Sequence, residues 1–194
     1  MISYWLIGLG LLFLLISGLW LLIPALHGVP WVPTREKRIR KALQLAELRA
    51  GETLYDLGAG DGRVLIMAAK EFGARAIGIE IGPVQCLIGW LRIWFSGHRP
   101  RRGSRPRARM RCANFYKSDV SDADVVFVYV TSSQTSKLLP LLERQLRPGA
   151  RVVSVAADFL GWQPNHVDRE MLIFVYQMPP THVGETSLFP NRVQ

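Results

Sequence analysis

Three glycines at alternate positions, in Asp56-Leu57-Gly58-Ala59-Gly60-Asp61-Gly62, separate a short apolar run from a stretch with helical spacing. Glycine reaches backbone conformations that other residues avoid. Such a turn lets a strand pass directly into a helix and lets a ligand lie against the backbone. Thr53–Leu57 ahead of the turn reads as a strand, and Arg63–Phe72 behind it, closed by Gly73, as a helix. The alternation continues along the chain. Ala76–Ile81 is a second expected strand, Pro83–Phe95 a helix and Arg109–Ala113 a third strand. Asp124–Val130 is almost continuously apolar and suits a central strand buried on both faces. Ser136–Leu146 reads as a helix stopped by Pro148-Gly149, with Arg151–Ala156 and Glu170–Gln177 as later strands. Upstream, apolar positions from Thr34 to Leu48 fall at helical spacing, with Thr34 placed as an N-cap. Strands alternating with helices predict an α/β fold, a doubly wound and mostly parallel sheet.

The charge is unevenly spread. The chain has 24 basic and 15 acidic residues, 49% hydrophobic residues and two cysteines. That composition excludes an intrinsically disordered tail and a disulfide-stapled secreted domain. Ile2 to Leu26 carries no formal charge, and a helix of about 25 residues is roughly 37 Å long, enough to cross a hydrocarbon core of about 30 Å. Tyr4, Trp5 and Trp31 flank this run where interfacial aromatics belong. A cleaved signal peptide would need basic residues ahead of a shorter apolar run and a small-residue cleavage site, and none of these is present. Arg35–Lys41 (REKRIRK) contributes +4, which predicts a cytoplasmic domain and an N-terminus outside. Cys86 and Cys112 then sit in a reducing compartment as free thiols. The expected organisation is a transmembrane anchor at 1–28, a juxtamembrane basic segment and cap helix at 29–50, and a catalytic domain at 51–194. Arg99–Arg111 holds seven arginines and no acid. It reads as a solvated loop, a contact for anionic lipid or, less readily, a nucleic-acid contact, since few aromatics interleave the arginines.

The register of the glycine turn narrows its ligand. A dinucleotide fingerprint, G-x-G-x-x-G, would need glycine at position 63 or 65, where the chain has Arg63 and Leu65. No Gly-Lys-Ser/Thr follows, so it is not a P-loop. Asp56 and Asp61 would repel a pyrophosphate and would suit an ammonium or sulfonium group. Glu80, at the end of the second strand, is placed to accept hydrogen bonds from ribose hydroxyls.

On these residues the sequence resembles the class I S-adenosylmethionine-dependent methyltransferases, with their Rossmann-like fold. Within them it is similar to the membrane-anchored protein-lysine methyltransferases of adenine nucleotide translocase and the ATP synthase c-ring, and to their prokaryotic relatives. Val32-Pro33-Thr34, Tyr55–Arg63, Ser121–Val126, Leu146–Ser154 and Gly161–Pro164 carry the likeness. The resemblance implies S-adenosyl-L-methionine as cofactor. It sets Gly58, Gly60 and Gly62 against the methionine moiety and gives Asp56 the amino group and Glu80 the ribose. Asn114 and Phe115 would meet the adenine, and Asn114 stands where such enzymes often carry Asp. Thr34 would close over the cofactor. Tyr129 and Thr131 would stand where substrates enter, and Tyr129 and Trp162 are candidates for a lysine channel. No metal site is expected and no catalytic residue is assigned.

The sequence after the fourth strand is Thr131-Ser132-Ser133-Gln134, not the Asn/Asp-Pro-Pro-Tyr motif of adenine or glutamine amide methylation. Neither cysteine follows a proline, as cytosine-C5 chemistry would need. The leading expectation is lysine N-methylation of a membrane or membrane-proximal protein. The alternatives are methylation of a lipid or quinone, and a non-catalytic cofactor-binding membrane module.

Overall fold

The computed structural model describes residues 4–26, 34–97 and 107–183. Helix α1 (Tyr4–Leu26) and helix α2 (Glu36–Leu45) precede the first strand. Strand β1 (Thr53–Leu57) leads through the glycine turn into α3 (Arg63–Glu71), followed by β2 (Arg75–Glu80), α4 (Pro83–Phe95) and β3 (Ala108–Cys112). A 3-10 turn (Phe115–Lys117), β4 (Val125–Tyr129), α5 (Ser132–Gln145) and β5 (Arg151–Val155) come next. Short strands β6 (Trp162–Gln163), β7 (His166–Asp168), β8 (Ile173–Gln177) and β9 (Thr181–His182) complete the described part.

Seven strands form one sheet in the order β3-β2-β1-β4-β5-β8-β7. The first five are parallel, and β8 and β7 close the edge antiparallel. The chain winds outward from β1 in one direction to β2 and β3, then returns to place β4 on the other side. The carboxyl ends of β1 and β4 therefore flank the switch point, where open α/β sheets bind ligands. The expected doubly wound, mostly parallel sheet is present.

The strands bury both faces, and the period of two sorts their side chains. Leu54, Phe127 and Val153 face Ile39 and Leu43 of α2 and Leu65 and Ala68 of α3. Tyr55, Leu57, Val126, Val128 and Val152 face Leu138 and Leu142 of α5. Burial of each Val, Leu or Ile contributes about 1.5–3 kcal/mol, so these two layers hold the sheet in place.

Two helices start at positions other than those expected. Arg35, not Thr34, is the N-cap of α2, with extended backbone and no side-chain capping bond. Helix α5 starts at Ser132, four positions before the expected Ser136, because Gln134 Oε1 accepts from the Thr131 backbone N–H at 3.0 Å and fixes the first turn. The transmembrane anchor expected at 1–28 finds no support in the fold: among the described residues no helix is long and apolar enough to cross a membrane. Residues 1–3, 27 and 28 of the expected segment lie outside the described residues, as do the side chains from 19 to 26. Residues 99–106 of the arginine-rich run also lie outside the described part.

Candidate cofactor and substrate site

The turn after β1 is tied to the neighbouring strand. The N–H groups of Gly58 and Ala59 donate to the carbonyl of Ile79 at 2.8 and 3.1 Å. Gly58 has a φ of +90°, which a side chain would strain, so the path over β2 requires glycine there. Glu80 clamps the same turn from below. Its Oε2 accepts from Gly60 N–H and its Oε1 from Gly82 N–H, each at 2.8 Å. Helix α4 backs the turn so closely that a Cβ on Gly89 would lie 3.2 Å from the Gly60 carbonyl oxygen and 3.3 Å from the Asp61 carbonyl carbon.

Above the turn opens a cleft of about 400 Å³, within the range of small-molecule sites. Thr34, Asp56, Gly58, Gly60, Asp61, Glu80 and Phe115 line it, with Tyr129 and Thr131 at the far side. The sequence thus places nine of its expected residues on one cavity. Gly62, Asn114 and Trp162 are not among the lining residues. Gly62 is the N-cap of α3, and a Cβ there would lie 3.4 Å from Gly89 Cα, so it serves the packing of turn on helix. Asn114 Oδ1 accepts from Tyr116 N–H at 2.9 Å, which caps the short turn that presents Phe115. Trp162 is buried, stacked on Phe159 at 4.9 Å and edge-on to Tyr176 at 5.5 Å, with its Nε1 donating to Glu143. It is a core residue rather than a channel wall.

The three acids differ in their surroundings. Burial pushes the Asp56 carboxyl well above its ordinary value, and the nearby charges of Glu80 and Asp61 push it further. Burial also acts on Asp61, but hydrogen bonds and charge from Arg63, with the charge of Arg92, overcome it and hold that carboxyl below its usual value. Arg63 Nη2 pairs with Asp61 at 2.6 Å, and Arg92 of α4 pairs with it from the other side. Arg63 Nη1 also donates to the Thr34 carbonyl at 2.9 Å, which ties the start of the cap helix to the turn. The charge of Asp61 is therefore matched internally. Asp56 and Glu80 have no such cationic side-chain partner among the described residues.

The far side of the cleft is different. Phe127, Tyr129, Val130, Thr131, Ser132, Ala156 and Ala157 form an uncharged rim at the ends of β4 and β5. Ala156 adopts a φ of +71°, in the left-handed region, which turns the chain away at the end of β5. The guanidinium of Arg38 lies 5.5 Å from the centre of the Tyr129 ring and its Nε donates to the Met171 carbonyl, so α2 fixes that tyrosine. Sequence reading missed Arg63, Gln85, Phe127 and Ala156 as lining residues. Arg63 directly follows the glycine turn, and that position was the available signal. Among the described residues no cluster of His, Cys, Asp and Glu could hold a metal ion.

A buried acid that gains by facing a cation, a carboxylate with lone pairs left for hydroxyl donors and an uncharged far wall fit an adenosyl sulfonium. At the switch point of this sheet, they define a class I S-adenosylmethionine-dependent methyltransferase. The family described as the ANTKMT methyltransferase domain matches residues 56–166. The chain is 38% identical over 140 residues to a protein-lysine N-methyltransferase of Saccharolobus islandicus (strain REY15A), covering 72% of this chain and 83% of the relative. It is 35% identical over 150 residues to the human lysine N-methyltransferase named for the c-type subunit of ATP synthase, covering 76% of this chain and 60% of the human protein. The crystal structure of an RNA methyltransferase from Salinibacter ruber in complex with S-adenosyl-L-homocysteine is similar, with a TM-score of 0.70 and 33% identity over 83% of this chain and all of that one. The chain belongs to the ANTKMT family of S-adenosylmethionine-dependent protein-lysine N-methyltransferases.

Proposed function

We propose that this protein methylates the ε-amino group of a lysine on a membrane or membrane-proximal protein. The observation that carries the reading is the juxtaposition, in one cleft, of the acid-lined cofactor side with an uncharged rim. The human relative is named for a component of ATP synthase, which supports a membrane protein as the substrate class.

When bound, S-adenosylmethionine supplies an electrophilic methyl group on a sulfonium centre. Asp56 and the Gly58–Gly60 backbone would hold its amino-acid end, Glu80 its ribose and Phe115 its adenine. The chain's own share of catalysis is alignment and exclusion of water. Phe127 and Val130 make that side of the cleft apolar, where an incoming lysine is favoured as the neutral amine that reacts. Tyr129, held by Arg38, and Thr131 would set the approach of the amine.

Residues 1–28 would anchor the protein, with the N-terminus outside and the catalytic domain at 51–194 in the cytoplasm. Support comes from the uncharged sequence Ile2–Leu26 and the basic segment behind it. It also comes from the outward apolar side chains of α1, such as Tyr4 at 89% exposure. Arg99–Arg111 would contact anionic headgroups. A tether of this kind raises the effective concentration of membrane targets. RNA is the second reading, favoured by the likeness to the Salinibacter enzyme and by the same arginines.

Full-length protein incubated with radiolabelled cofactor and a total membrane extract separates the readings. The expected product is base-stable label in a membrane protein band that maps to lysine. Label in the organic extract indicates lipid or quinone methylation. Ribonuclease-sensitive label indicates RNA, and cofactor binding without transfer indicates a binding module.

A further inference from the structure

Helix α4 is inverted with respect to an ordinary surface helix. Its buried positions are Gln85, Cys86 and Gly89, small or polar. Its outward positions are Leu87, Trp90, Leu91, Trp94 and Phe95, a stripe at i, i+3, i+4, i+7 and i+8. Phe95 is 80% exposed and Leu87 56%, and Trp90 and Trp94 stack with ring centres 5.7 Å apart. Contiguous outward apolar surface of this kind marks an interaction site.

Three observations select the occupant. The stripe is aromatic-rich, with two tryptophans, the residue type that settles at the headgroup level of a bilayer. Basic residues adjoin it in space and in sequence. Lys70 of α3 borders the shallow groove beside Leu91 and Phe95, and the sequence leaving the helix is the acid-free run of seven arginines, Arg99–Arg111. The surface is also continuous with another apolar one, since α1 contacts α4.

We propose that the outward face of α4 is an interfacial membrane-docking surface, seated at the headgroup–acyl boundary of an anionic bilayer. This inference rests on the membrane reading above and adds a second, surface-lying contact to the proposed anchor. The opposite face of α4 carries Gly89 against the glycine turn and sends Arg92 to Asp61. Docking therefore holds the cofactor turn about one helix diameter, roughly 10 Å, above the lipid. That height suits lysines close to the membrane surface.

The test uses full-length protein reconstituted in vesicles of phosphatidylcholine and phosphatidylglycerol. Nitroxide labels are placed singly through Leu91→Cys, Phe95→Cys and, as an aqueous control on α5, Lys137→Cys. All carry Cys112→Ser, because Cys112 is exposed, whereas Cys86 is buried. Retained adenosylhomocysteine binding reports that each variant is folded. The expected ratio of oxygen to nickel-chelate accessibility at 91 and 95 exceeds that at 137 by about threefold or more, as for a helix buried ~5–10 Å into the interface. Equal ratios at all three positions in vesicle-bound protein overturn the inference and leave the anchor reading standing. Labels at 91 and 95 shielded from both reagents also overturn it, because α1 or a second copy then covers the face. Protein that does not associate with vesicles at all overturns the membrane reading itself.

Discussion

The two sides of the cleft are built from different materials. At the ends of β1 and β2 the wall is backbone amide and carboxylate, with Glu80 bonded to two N–H groups and Asp56 buried beside it. At the ends of β4 and β5 the wall is aromatic, aliphatic and hydroxyl, with a single tyrosine held by a cation. The first side discriminates by charge and hydrogen bonding and should govern cofactor affinity. The second discriminates by shape and should govern turnover. Substitutions on one side should leave the other's observable nearly untouched.

Glu80→Ala should have the largest effect. It removes an acceptor and leaves the Gly60 and Gly82 N–H groups unpaired, so adenosylhomocysteine affinity should fall about 100-fold by calorimetry, the equivalent of one or two charged hydrogen bonds. Normal affinity would remove the distinction between the two sides. Next, Tyr129→Ala should lower kcat about 30-fold on the natural substrate while adenosylhomocysteine affinity stays within about twofold, because a misplaced approach costs rate without touching cofactor contacts. A matching loss of affinity would merge the two sides into one.

Asp56→Asn should weaken adenosylhomocysteine about tenfold, the value of one lost charged contact, and should stabilise the protein without cofactor. Burial raises this carboxyl's pKa in the folded chain, so the folded state retains a proton that the unfolded chain releases above about pH 4. Native stability therefore falls as pH rises from that point through the raised value. The Asn variant should lose this slope and melt higher than the native chain at neutral pH. Thermal melts from pH 4 to 8 check it, and parallel curves would contradict the assigned environment. The smallest effect belongs to Trp162→Phe, in the core beside β8 and α5 and away from the cleft lining. It should cost about 1–2 kcal/mol of stability through lost stacking and the Glu143 bond, with kcat and affinity unchanged.

The first side of the cleft was legible in the sequence and the second was only partly so. Alternate glycines, an acid before them and an acid at the next strand's end are local patterns, and each fixes a backbone position near a strand terminus. Asp56, Gly58, Gly60 and Glu80 all reached the cleft for that reason. The pairing of Asp61 with Arg92 spans 31 residues and joins a turn to a helix flank, so spacing alone could not show that its charge is spent internally. Trp162 looked like a channel residue because an aromatic in a motif carries no sign of which way it points. Its burial depends on Phe159 and Tyr176, which only the fold assembles around it. In the fold, β1, β2, β4 and β5 follow from hydrophobic runs, whereas the edge strand β3 carries two arginines and is mostly exposed. Strand β7 escaped notice because its three residues are mostly exposed and owe their conformation to pairing with β8.

The most direct test is a titration of full-length protein at neutral pH with adenosylhomocysteine and, separately, with NADH. Saturable heat for adenosylhomocysteine, shifted to about 100-fold weaker affinity by Glu80→Ala, with none for NADH, is the predicted result. Binding of NADH with silence for adenosylhomocysteine would mean that the buried acids do not choose the ligand, and the assignment of the cleft would be wrong.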